Sequence, residues 1–348
     1  VERHIINCHI HTFTVEHVPV DFLPLKLGVV FKAPIINRPA RWLLGRMNPF
    51  DSRDRFARFA NFAAVASEKT QRQVFDIVRS RYPSKTRFVV LPMDMAYMGA
   101  GKVPVPLEQQ HHELAMMRAD LGEMVIPFAA VDPRRPGVLD MLRDLVETKG
   151  FQGIKVYPNL GYKPEHPVLM EIWRYAEEKN LPVMTHCSRG GPLGKGVSRD
   201  DLDNFTSPAC WLPVLRRFPA LRVCLAHFGG EAEWERYFGD GWQAGQPNES
   251  RSWLADILDH IKSGEFPNLY TDISYTIFRF DEYAPVVKVF LSDPLLRQRV
   301  LFGSDFYMTE NERFEERLLS MRLRGLLGED MFWQIASTNP ISYLGEAK

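Results

Sequence analysis

The chain has 348 residues, enough for two ordinary domains or for one α/β barrel, a fold that uses about 250 residues or more as a single unit. Lysine and arginine together number 43 and aspartate and glutamate also 43, so no net charge draws the protein to nucleic acid or to an anionic membrane, and a small-molecule substrate is the expected partner. Cys8, Cys187, Cys210 and Cys224 form no CxxC pair, no apolar run approaches the roughly 20 residues that span a bilayer, and the first residues lack a charged-then-apolar leader, so a reducing, cytoplasmic setting is expected.

In chain order, the first element is the run HIINCHIHT, which ends on His9 and His11. Side chains two apart on a strand point the same way, so both imidazoles can reach one ion. After it, Val15 to about Val65 is far longer than a usual connection of roughly 2–6 residues. Prolines punctuate this insertion, and Phe22, Phe31, Trp42 and Phe50 are interspersed with Arg38, Arg41 and Arg46. It reads either as a lid over the site or as a subunit contact, aromatics and arginine being favoured at interfaces, so a homodimer or larger homo-oligomer is expected.

Seven more strand-like runs follow: TRFVVLPMD, EMVIPFAAVDP, GIKVYP, LPVMTHCS, LRVCLAHFG, NLYTDISYT and RVLFGSDF. Helical segments such as Gly137–Lys149 and Val168–Lys179 separate them; in the first, Val138, Leu139, Leu142 and Leu145 repeat with helical spacing. A second long connection, Glu231–Ser250, follows the sixth run. Parallel neighbours need helical crossovers, so this alternation predicts a (β/α)8 TIM barrel forming one domain over residues 1–348, with 15–65 inserted in it. An open doubly wound sheet that bound a dinucleotide would carry glycines after its first strand, and Thr12–Val15 holds none.

In such a barrel the C-terminal ends of all strands meet in one bowl. His9 and His11 end the first strand, Lys155 lies in the fourth, His186 ends the fifth, His227 the sixth and Asp305 the eighth. Taken singly, each histidine fits a hydrogen-bonded core residue, Asp305 a helix cap and Lys155 a snorkelling cation. Jointly they fall toward the same end of their strands. Nitrogen and carboxylate donors without a thiolate suit a divalent transition ion, Zn2+ first, with Mn2+ or Fe2+ also possible. Cys187 follows His186 and faces the opposite side, as packing. Arg189, three residues beyond His186, is placed to clamp a substrate carboxylate or to lie on the surface. Tyr157, Tyr275 and Tyr307, at or just past strand ends, offer ring stacking or a hydroxyl to a substrate, or serve structure.

The set HxH, Lys155, His186, His227 and Asp305, in the contexts GIKVYP, MTHCS, LAHFGG and LFGSDF, resembles the amidohydrolase superfamily, and within it the amidohydrolase-2 branch of metal-dependent hydrolases and aminocarboxymuconate-semialdehyde decarboxylase-like enzymes. The resemblance implies that His9, His11, His186 and Asp305 hold one ion, that Asp305 also moves the proton of a metal-activated water, and that His227 polarises the substrate. It also implies a choice for Lys155: carboxylated and bridging two ions, as in binuclear relatives, with His227 then a ligand too, or a substrate-binding residue beside a single ion. The first expectation is hydrolysis of an ester, lactone or amide bond in a small cyclic or carboxylated compound. The second is metal-dependent, non-oxidative decarboxylation of an aromatic or unsaturated carboxylic acid, and the third a non-catalytic metal-binding barrel.

Overall fold

Each of the eight apolar runs contains a strand: β1 (Ile6–Ile10), β2 (Arg87–Val90), β3 (Val125–Val131), β4 (Gly153–Val156), β5 (Val183–Thr185), β6 (Val223–Leu225), β7 (Leu269–Asp272) and β8 (Val300–Leu301). The computed structural model describes residues 3–22, 68–241, 251–274, 280–306 and 315–346. The strands pair in sequence order from β1 to β8, every neighbour parallel. Backbone bonds bring the ends of this sheet together: Cys8 N donates to Phe302 O and Asp305 N to His9 O, each at 2.8 Å. The result is a TIM barrel with helices between the strands, as expected.

The helices form where the periodicity predicts. Val138–Lys149 buries Val138, Leu142 and Leu145 on one face and stops at Gly150, whose φ of +73° suits glycine. Pro167–Glu178 starts with proline in its first turn, is capped by the His166 side chain, and buries Leu169, Ile172, Trp173 and Ala176. Burying each such large apolar side chain contributes roughly 1.5–3 kcal/mol.

Along the strands, residues alternate between an interior cluster that includes Ile6, Cys8, Phe128, Met184 and Cys224 and an outer one under the helices that includes Val90, Ile154 and Val223. In β1 the alternation changes phase. Its register to β2 shifts between Asn7 and Ile10, and Ile10 packs with the outer cluster although Ile6 and Cys8 pack inside. A one-residue irregularity moves every later side chain to the other face, which is how His9 and His11 reach the interior. Gly153 is required in β4, because a Cβ there would lie 2.4 Å from Cζ of Phe128.

Cys187 packs in the outer cluster, on the side opposite the bowl. Most of the 15–65 insertion lies outside the described residues; its first part makes a short turn at Val15–His17 and then runs beside the β2 loop, with Val20 N bonded to Lys102 O. The Glu231–Ser250 connection opens as a helix, Glu231–Arg236, and its later part is also outside the described residues. Among the described residues no helix is long and apolar enough to cross a membrane.

Candidate metal and active site

The strand ends converge as the barrel requires. His9, His11, Lys155, His186, His227, Asp272 and Asp305 are all buried at the C-terminal mouth, none more than 5% exposed. The His9 ring lies 5.2 Å from that of His11 and 4.8 Å from that of His227, which is 4.8 Å from that of His186. Tyr157 stacks on His186 at 4.4 Å. Tyr275 and Tyr307 lie outside the described residues.

Asp272, at the end of β7, organises one side of this rim. It accepts from His9 Nδ1 (2.8 Å), from the backbone amides of His227 (2.9 Å) and Ser274 (3.0 Å), and from the Ser274 hydroxyl. A carboxylate cannot donate, so the His9 proton sits on Nδ1 and Nε2 presents its lone pair. That Nε2 is buried and has no hydrogen-bond partner among the described residues. Asp272 is the site residue that the sequence reading missed. Its signal was there: a charged residue closing the apolar run NLYTD, as Asp305 closes another.

Backbone strain concentrates at the same place. His227, Phe228 and Asp305 have φ of +68°, +48° and +54°, a region that costs non-glycine residues about 1–3 kcal/mol each. Gly303 lets β8 approach β1, since a Cβ there would lie 2.8 Å from Cβ of His9. Asp305 is thereby held with its carboxylate 3.5 Å from His11 Nε2 and 4.0 Å from His227 Nδ1.

Burial dominates the ionisation of the rim. It pushes His11 and His186 down to about 3, with Lys155 adding to the effect, and holds His9 and His227 well below the imidazole range. All four are therefore neutral at neutral pH, the form that binds a metal. Burial also lowers Lys155 to about 8 and raises Asp305 to about 7.

These residues fit a divalent cation. Donor atoms of His9, His227 and Asp305 all lie within 4.8 Å of one another, and ligands of a common ion sit roughly 3–4 Å apart. His11 adjoins the trio through Asp305. Hydrogen bonding supplies an independent argument. From Gly190 O the contacts run to His186 Nε2 (2.9 Å), from His186 Nδ1 to His227 Nε2 (3.0 Å), from His227 Nδ1 to Ser274 Oγ (2.9 Å), and on to Asp272. Both ends are acceptors, and two neutral imidazoles and one hydroxyl carry one proton too few for every contact. A cation that takes an imidazole lone pair relieves that shortage.

His227, expected to polarise substrate beside one ion or to be a further ligand beside two, belongs to the trio of candidate ligands, and His186, expected as a ligand, stands next to it with Nε2 turned to Gly190 O. Arg189 donates to Glu233 (2.6 Å) and Asp203 (2.7 Å) and lies 4.5 Å over the Trp253 ring, so two acids already take its fork. It pins the loop after β5, which also crosses to the β2 loop through Lys195 N and Met98 O.

Comparison with known proteins matches this architecture. A family model described as Amidohydrolase covers residues 6–345. No curated protein matches the chain. Among solved structures, 2,6-dihydroxybenzoate decarboxylase from Rhizobium is similar at 14% identity and TM-score 0.54, covering 99% of this chain and 99% of that one. A 5-carboxyvanillate decarboxylase from Novosphingobium aromaticivorans, complexed with manganese and 4-hydroxy-3-methoxy-5-nitrobenzoic acid, is similar at 13% identity and TM-score 0.58, covering 99% and 96%. The 4-oxalomesaconate hydratase from Rhodopseudomonas palustris is similar at 15% identity and TM-score 0.52, covering 98% and 95%. At such identities the likeness is one of fold.

Proposed function

The chain belongs to the amidohydrolase family, and from that premise we propose that it is a metal-dependent, non-oxidative decarboxylase of a small aromatic or unsaturated carboxylic acid. The observation that carries the reading is the convergence of His9, His227 and Asp305 around one point, a donor set for one divalent cation. The decarboxylases among the similar folds favour this reaction over hydrolysis. Hydrolysis, the first expectation from the residues, is the second reading, and the family's description favours it.

His9, His227 and Asp305 would hold the cation, with His11 beside them. Bound there, a divalent ion supplies Lewis acidity and fixes an oxygen-rich substrate; Zn2+, Mn2+ and Fe2+ all suit nitrogen and carboxylate donors. Asp272 keeps His9 in the tautomer that offers Nε2 and anchors the backbone of His227. Asp305, ionised while it would hold the cation, takes a proton from solvent and passes it to the substrate carbon that bears the carboxylate. The electron pair of the carbon–carboxylate bond then remains on that carbon as carbon dioxide leaves, and Asp305 is left ionised as before. Tyr157, stacked on His186, helps to hold that imidazole in place.

Metal analysis of protein purified without added metal, followed by turnover of hydroxylated benzoates, lactones and amides in 18O-labelled water, tests the assignment. Carbon dioxide release with no label in the organic product is the expected result. Label entering the product without carbon dioxide would establish hydrolysis instead.

A further inference from the structure

Lys155 is among the largest fully buried side chains in the protein, 1% exposed, and its Nζ has no hydrogen-bond partner among the described residues. An ammonium group in that position is costly unless an anion pairs with it. The closest aromatic support is the Tyr157 ring, 5.2 Å away. On the β3 side, Lys155 lines a cavity of about 10 Å³ shared with Met93, Asp94 and Tyr162, room for about one water and no more. An anion that meets Lys155 must therefore come from the other side, where His9, His227 and Asp305 converge.

We propose that Lys155 is the specificity-determining residue that binds the carboxylate of a monoanionic substrate, placing it between the β4 strand end and the metal-candidate trio. The proposal rests on the carboxylic-acid reading above and adds the group that reads the acid. Charge bears it out: a divalent cation offsets the carboxylates of Asp272 and Asp305, and Lys155 leaves the pocket one positive charge in excess. One carboxylate restores neutrality in a site that excludes water.

The test uses manganese-loaded wild type, Lys155→Met and Lys155→Arg, with salicylate and the neutral isostere salicylamide as calorimetric probes. Charge-assisted hydrogen bonds predict that Lys155→Met binds salicylate about 10–100-fold more weakly and salicylamide within about threefold of wild type, while Lys155→Arg keeps part of the preference for the anion. The free Met variant should also melt at a higher temperature than free wild type, because it removes an unpaired buried charge. Undiminished salicylate binding by Lys155→Met overturns the proposal and leaves the decarboxylase reading standing. Failure of wild type to bind salicylate sinks both. Loss of bound metal from Lys155→Met overturns it in favour of a lysine that bridges ions, as does a lower melting temperature in favour of a structural lysine.

Discussion

Two groups at the rim differ in how fully they are bonded. Asp272 accepts from His9, from the Ser274 hydroxyl and from two backbone amides. Lys155, across the barrel on β4, has no hydrogen-bond partner among the described residues, and the Asp305 carboxylate comes no nearer to His11 than 3.5 Å. Both groups are buried, so burial alone does not separate them. A satisfied carboxylate is fixed in place and orients its neighbours, whereas under-satisfied groups retain the capacity to take a ligand or move a proton. Asp272 and its partners are accordingly the frame, and Lys155 with Asp305 the reacting half.

The sharpest break in this division comes from Asp305→Asn, which keeps size but ends proton transfer. It is expected to lower kcat by about 10²–10⁴-fold in steady-state carbon dioxide release. Asp272→Asn attacks the frame, and its expected effect is a 10–100-fold weaker hold on the metal, read by competition with a chelating dye. Should Asp272→Asn lower kcat as far as Asp305→Asn with metal affinity intact, the two halves would have to exchange roles.

Arg189→Ala lies outside both halves. It leaves Glu233, which is 1% exposed, with the Trp253 amide but without its guanidinium, and should lower stability by about 1–2 kcal/mol in denaturant titration. The KM for a carboxylate substrate should hold nearly steady. A large rise in KM with unchanged stability would restore the substrate clamp expected for Arg189.

The smallest effect concerns pH and the metal-free protein. His9, His11, His186 and His227 titrate below 6.5 when folded, so their contribution to stability is present above 6.5 and is lost as the pH falls toward about 3. Asp305 acts in the opposite sense: its share is present below 3.8 and is lost as the pH rises through about 7. Four groups outweigh one, so the chelated protein should melt at lower temperature at pH 5 than at pH 6.5. A melting temperature that rises over this interval would show the imidazoles to be charged in the folded state.

Much of this was legible in the chain. The eight apolar runs, the helical periods between them and the polar residues closing the runs determined a barrel with a histidine-rich mouth, because strand alternation and the geometry of parallel crossovers leave few other solutions. Local pattern carries no information about which polar group faces which across the bowl. Asp272 as the partner of His9, His227 in place of His186 beside Asp305, the fork of Arg189 closed on two acids, and the solitary ammonium of Lys155 were decided only by tertiary structure. Each depends on contacts between strands tens or hundreds of residues apart, and on a slip in β1 that turns two imidazoles inward without leaving a mark in the sequence.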